Sequence, residues 1–155
     1  MKHNKLTKFA LLLWLATLAV FVFFFVRGNV APGSDNRTAV VLAASERDLI
    51  LSEMRALLSG VHGILDALNH NNMRQTASAA RSVGMAAAAD VNPALMSKLP
   101  MPFKQLGMSV HHDMDNLAQA ADSGKPVAEL QTMLADTMTK CVACHAAWQL
   151  QSNQP

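Results

Sequence analysis

The chain of 155 residues contains no tyrosine, and aromatic residues of any kind make up only 5% of it. Charged residues are also few, at 15%, whereas hydrophobic residues account for 51%. This balance excludes an intrinsically disordered protein, because disordered chains are polar and highly charged. The scarcity of aromatic residues, together with ten methionines and alanine-rich stretches, disfavours β-strands. We therefore expect an all-α protein with one folded domain.

The net charge of +2 comes from the N-terminal end of the chain. One apolar run is flanked by four basic residues, Lys2, Lys5, Lys8 and Arg27. Residues 28–155 contain the other nine Lys and Arg and all 11 Asp and Glu, so this part of the chain has a net charge of −2. A domain without excess positive charge lacks the phosphate contacts on which nucleic-acid binding depends. We therefore expect no nucleic-acid partner.

The apolar run covers Phe9–Val26, with Thr17 as its one polar residue. At about 1.5 Å per residue an α-helix of this length reaches roughly the thickness of a bilayer core. The lysines before it predict a cytoplasmic N-terminus and an exported remainder. Because small residues are scarce at the end of the run, we predict that residues 1–27 are an uncleaved signal-anchor. A cleaved signal peptide, which would release the protein into the periplasm, is the alternative.

Residues 28–40 are rich in Gly, Pro, Ser, Asp and Asn, which predicts a flexible linker before a domain that covers residues 41–155. Apolar residues then recur at helical spacing in four stretches. A proline-rich connection separates the second stretch from the third. We therefore predict an antiparallel four-helix bundle, with helices over residues 45–68, 73–88, 103–121 and 126–148.

Both cysteines lie in the string Cys141-Val142-Ala143-Cys144-His145, which is the attachment signature of c-type haem. In a helix the residues i, i+3 and i+4 share a face, so two thiols can bind the haem vinyl groups while the imidazole reaches the iron. A redox dithiol, a zinc site and a structural disulfide are weaker interpretations, because their usual contexts or further ligands are not evident. We predict one covalent haem c, with Cys141 and Cys144 forming the thioethers and His145 as axial ligand.

From Ser45 to Leu150 the chain resembles the cytochrome c′ family, including its low-spin, six-coordinate relatives. The resemblance rests on the single C-x-x-C-H near the C-terminus, the Met54-Arg55 pair in the first predicted helix and the alanine-rich core. It implies a haem held by the last helix of a bundle, and it places Met54 where the family has its distal residue. Many members have an aromatic residue and an arginine after the motif, whereas Trp148-Gln149 follow it here, so the basic neighbour of the proximal histidine is missing.

The group opposite His145 decides between two functions. Met54, or His111 as its rival at the edge of the third helix, would fill the sixth position and favour electron transfer. A five-coordinate iron would instead bind nitric oxide or carbon monoxide. His62, His70 and His112 are weaker candidates, and we expect the haem pocket to be lined by Leu57, Val61, Phe103 and Met138.

The expected function is single-electron transfer by a single-pass protein of a bacterial cytoplasmic (inner) membrane, with the haem domain facing the periplasm. In bacteria, haem c is attached on that side of the membrane, in agreement with the predicted export. The expected partners are redox proteins of the periplasm or membrane, and a homodimer is left open. No catalytic triad or phosphate-binding loop is recognisable, so we do not expect an enzyme.

Overall fold

The structure is a computed structural model, which describes residues 2–89 and 91–152. The last residues of the predicted domain, 153–155, lie outside the described part. Within that part the chain is mostly helical, as predicted, and a small sheet is also present. The α-helices are α1 (Lys2–Arg27), α2 (Ala44–Asn69), α3 (Met73–Arg81), α4 (Pro93–Lys98), α5 (Met101–Asp122) and α6 (Val127–Ala147). A 3₁₀-helix covers Met85–Ala88, and the strands are β1 (Val30–Pro32), β2 (Thr38–Leu42) and β3 (Trp148–Ser152).

The prediction of an all-α fold is wrong for these three strands, because they form a small sheet. β1 pairs antiparallel with β2, and β2 pairs parallel with β3, in the order β1-β2-β3. The run Thr-Ala-Val-Val-Leu of β2 is rich in β-branched residues, which suit a strand, and its residues Ala39, Val40 and Leu42 are buried. The segment 28–40 therefore differs from the flexible linker expected, because it contributes β1 and part of β2.

α1 is long and apolar enough over Asn4–Arg27 to cross a membrane, and its side chains are not buried by the rest of the protein. Its end nevertheless packs on the domain. The backbone N–H of Asn29 donates to the carbonyl of Lys98 at 2.7 Å, and Lys104 Nζ donates to the carbonyl of Phe25 at 3.1 Å. The same ammonium group lies 3.7 Å from the centroid of the Phe25 ring. The end of α1 is thus attached to the region where α4 meets α5.

Gly28 makes this close approach feasible. Its φ of +67° is in the left-handed region, and a Cβ at this position would lie 2.5 Å from the backbone nitrogen of Pro100. A side chain there would therefore be strained and would also clash with the backbone before α5.

Two groups of buried apolar residues form the interior. The helix core lies where α2 packs on α3, α3 on α5 and α5 on α6; its largest members are Ile64, Leu68, Met114, Leu117, Leu130 and Leu134. The sheet core lies between β2, the start of α2, α4 and the start of α5; it consists of Val40, Leu42, Ile50, Leu95, Leu99 and Phe103.

Candidate cofactor site

Cys141, Cys144 and His145 lie in the last two turns of α6 and line one cavity of about 590 Å³, which we call the motif cleft. Both cysteines are free thiols and half-buried, and His145 is exposed. Cys141 packs against the helix core and Cys144 against the sheet core. The motif cleft therefore lies at the junction of the two cores.

The other residues around the motif cleft come from α2, α5 and α6 and are mostly apolar. The polar ones are Glu53 on α2, His111 on α5 and Lys140 on α6. Such a cleft suits a mainly apolar ligand that is oriented by a few polar groups. The apolar residues are Ile50, Met54, Leu57, Phe103, Leu106 and Val110, together with Gly107.

A second cavity, of about 660 Å³, borders the motif cleft, and we call it the arginine cavity. The two cavities share Met54, Phe103, Cys144 and His145. Arg37 and Arg47 also line the arginine cavity. Each guanidinium group is paired with a carboxylate of the chain, Arg37 with Asp35 at 2.6 Å and Arg47 with Asp48 at 3.6 Å.

Arg37 binds the C-terminal end of α6. Its Nη1 donates to the carbonyls of His145 at 3.2 Å and of Trp148 at 3.3 Å, where the helix leaves acceptors unpaired and its dipole is negative. Its Nε donates to Asp35 at 2.8 Å, and Gln149 Nε2 donates to the same carboxylate at 3.0 Å. The guanidinium holds the pKa of Asp35 below its ordinary value. Arg37 thus places a positive charge next to the backbone of His145.

The two thiols are not activated as nucleophiles. Burial raises the pKa of Cys141, and burial together with the neighbouring Cys141 raises the pKa of Cys144. A redox-active dithiol has a lowered thiol pKa, usually at a helix N-terminus, whereas this motif lies near the C-terminal end of α6. The site therefore lacks the electrostatics of a thiol oxidoreductase.

Met54 and His111, the two candidates for the position opposite His145, both line the motif cleft. Met54 is half-buried and also lines the arginine cavity. His111 is buried, and its Nδ1 lies 2.9 Å from the carbonyl oxygen of Val83. Because a carbonyl oxygen can only accept a hydrogen bond, Nδ1 must carry the proton of this bond. In a neutral imidazole ring, Nε2 is then unprotonated and can accept a hydrogen bond or bind a metal.

The other histidines considered from the sequence lie away from the motif cleft. His62 and His112 are exposed, and His70 Nδ1 lies 2.8 Å from the carbonyl of Asp66 at the end of α2. Of the four residues predicted to line a haem pocket, Leu57 and Phe103 line the motif cleft. Val61 instead belongs to the helix core, and Met138 is exposed on α6.

The residues present fit a c-type haem. The two thiols and the imidazole of the motif reach one mainly apolar cleft, and a thioether and a second imidazole line it from α2 and α5. Among the described residues no group of three or more His, Cys, Asp or Glu is arranged to hold a metal ion. A haem needs no such group, because its ring supplies four nitrogen ligands and the protein only the axial ones.

Sequence reasoning missed four charged residues of the site. Arg37 and Arg47 line the arginine cavity, and Glu53 and Lys140 line the motif cleft. Glu53 could have been found, because it lies next to Met54 on the same helix. Arg37 could not, because it reaches the motif through the pairing of β2 with β3.

Comparison of the chain with models of protein families, with curated proteins and with solved structures found no match.

Proposed function

We propose that this protein is a membrane-anchored monohaem c-type cytochrome that transfers single electrons on the periplasmic side of a bacterial cytoplasmic membrane. The observation that carries the proposal is the motif cleft, where Cys141, Cys144 and His145 of one helix face a mainly apolar cavity. The two cysteines would hold the haem by thioether bonds, and His145 would bind its iron. When bound, the haem supplies a one-electron redox couple.

The likeness to the cytochrome c′ family is part of the proposal. α2, α3, α5 and α6 would form its antiparallel four-helix bundle, and the contacts of α2 with α3, α3 with α5, α5 with α6 and α2 with α6 support this. Arg37 would supply the basic neighbour of the proximal histidine that Gln149 does not, because it donates to the His145 carbonyl from outside the motif.

Electron transfer is favoured over the binding of nitric oxide or carbon monoxide because a thioether lines the cleft together with His145. Met54 belongs to α2 and so approaches from a different helix than the motif. A methionine ligand fills the sixth position and raises the reduction potential. The expected partners are redox proteins of the periplasm or the membrane, and the protein itself is proposed to be a carrier and not an enzyme.

Covalent attachment of the haem tests the proposal directly. After expression with a haem-attachment system, acid acetone should leave the colour on the protein, whereas the double variant Cys141→Ala, Cys144→Ala should be colourless. Val142→Ala is the matched control, because this side chain lies between the cysteines and is 69% exposed, so it should bind haem like the wild type.

A wild-type protein that is well folded but colourless under these conditions would overturn the proposal. The optical spectrum of the reduced protein with and without carbon monoxide then separates the two functions. A spectrum that carbon monoxide leaves unchanged supports electron transfer, and ready binding supports the gas-binding alternative.

A further inference from the structure

A third cavity lies between the end of α1 and the motif cleft. It contains about 460 Å³ of empty space, which includes space open to solvent, and is lined mostly by apolar residues of α2, α4 and α5, with Glu53, Lys104 and His111 as its polar residues. It shares five residues with the motif cleft: Ile50, Glu53, Phe103, Gly107 and His111. We call it the membrane-side cavity.

The wall of the membrane-side cavity touches the end of the apolar helix. Lys104 and Leu99 both line the cavity. Lys104 Nζ donates to the Phe25 carbonyl at 3.1 Å, and the backbone of Gly28 packs so tightly on Leu99 that a Cβ would lie 2.7 Å from its carbonyl carbon. If α1 spans the bilayer, this cavity therefore lies beside the membrane surface.

We propose that the membrane-side cavity binds the ring of a membrane quinone or quinol. The position of the cavity suits a ligand that is dissolved in the membrane, and its apolar lining suits an aromatic ring with an isoprenoid tail. The inference deepens the proposed function by naming the chemical class of a ligand that binds beside the haem, and it rests on that function for the presence of the haem.

The polar residues shared with the motif cleft match the oxygens of such a ring. Glu53 of α2 and His111 of α5 both line the inner side of the cavity, where it meets the motif cleft. The Nδ1–H of His111 donates a hydrogen bond to the Val83 carbonyl, so the unprotonated Nε2 can accept a hydrogen bond from a quinol hydroxyl. This use of Nε2 requires that Met54, and not His111, is the iron ligand.

The alternative occupant, the acyl chain of a phospholipid or fatty acid, fits the cavity less well. A hydrocarbon chain would offer no hydrogen-bond partner to the Glu53 carboxyl group or to Nε2 of His111, which is costly in a confined site. An anionic head group at the inner side would lie next to the Glu53 carboxyl group. The quinone is therefore the better match.

Binding of decylubiquinone to the full-length haem protein in detergent micelles tests the inference. Native mass spectrometry should show one bound molecule, and the melting temperature should rise with its concentration. Ala88→Trp should abolish both effects, because Ala88 is buried and lines the cavity. Ala87→Trp is the matched control, because Ala87 is its exposed neighbour on the same 3₁₀-helix.

A second variant covers the case that Ala88→Trp fails to fold. Val91 lines the cavity and is only half-buried, so Val91→Phe should fold and weaken binding about tenfold or more, the effect of losing roughly one good contact. Decylbenzene, which has the same tail but no ring oxygens, should bind about tenfold more weakly than decylubiquinone or not at all.

Three results would overturn the inference. The first is that decylubiquinone does not bind to the wild type, and the second is that it binds equally to the wild type and to both cavity variants. The third is that decylbenzene binds with the same affinity as decylubiquinone, which would indicate a site for hydrocarbon only. These measurements do not use the haem signal. If the chain proves to carry no haem but still binds decylubiquinone in an Ala88-dependent manner, the proposed function fails and the cavity assignment remains.

Discussion

At the scale of single residues, Met54 decides the ligand chemistry of the site. Met54→Ala should open the position opposite His145, convert a low-spin iron to high-spin and create carbon monoxide binding. The variant should remain folded, because Met54 is only half-buried and the neighbouring Ile50 and Leu57 keep the apolar face of α2. Optical spectra of the oxidised and reduced protein, with and without carbon monoxide, measure the change.

His111→Ala is the matched variant for this prediction, because the two side chains line the same cleft from α2 and α5. It should leave the iron low-spin. A low-spin spectrum that survives Met54→Ala and disappears in His111→Ala would instead assign the sixth ligand to α5.

The ion pair between Glu46 and Lys98 should contribute a pH-dependent part of the stability. Glu46 accepts from Lys98 Nζ at 2.6 Å and from the N–H of Ala43 at 2.9 Å, and these bonds lower its pKa from the ordinary 4.5. A carboxyl whose pKa is lower in the folded state stabilises the protein above its unfolded pKa, and this contribution is lost as the pH falls through the folded pKa.

We therefore expect Glu46→Gln to lower the free energy of unfolding at pH 7 by up to about 1 kcal/mol, the range for partly exposed pairs. The difference from the wild type should shrink as the pH falls well below 4.5. Urea denaturation at pH 7 and at acidic pH measures it. In a Lys98→Met background the same substitution should have a smaller effect at pH 7, and an unchanged effect would rule out the pair as the cause.

The residues of the site differ in how well the sequence predicts them. Cys141, Cys144 and His145 are predictable as a group because their spacing in one helix decides that they share a face. Arg37 is not, since it reaches the carbonyl of His145 from 108 positions away through tertiary pairing. Only the folded chain brings this charge to the motif.

At the scale of secondary-structure elements, β2 should carry more of the stability than its length suggests. Leu42 is 1% exposed in the sheet core, so Leu42→Ala should lower the free energy of unfolding by about 2–5 kcal/mol, the range for buried leucines. Leu49→Ala, at a position that is 47% exposed, should cost less than about 0.5 kcal/mol. Urea denaturation monitored by circular dichroism compares the two, and equal effects would contradict the assigned packing.

The helices are predictable from periodicity, but the ends of some are not. The second predicted helix extends to Ala88, whereas α3 ends at Arg81 and a 3₁₀-helix follows. Asp115 of α5 accepts from the N–H of Met85 at 3.0 Å, and its carboxylate occupies the space that a Cβ on Gly84 would need. The interruption thus depends on a residue of another helix, which a local pattern does not reveal.

At the scale of the whole molecule, α1 should keep the protein in the membrane. The intact mass should include residues 1–27, and the protein should fractionate with membranes until detergent is added, because α1 is apolar and not buried by the domain. A chain that begins at Gly28 behind a cleavable signal peptide should be soluble in the periplasm. A mature N-terminus at Asn29 or Pro32 would show that the segment is a cleaved signal peptide.

The parallel pairing of β2 with β3 also has a consequence for the order of folding. Thr38 pairs with Trp148, 110 positions further along the chain, and contacts between such distant residues form late because they require closure of a long loop. Single helices form within about a microsecond, so α6 can exist well before Arg37 and β2 cover its end. During that interval Cys144, which packs against the sheet core in the finished fold, is more accessible, and an attachment enzyme would have its best opportunity to act.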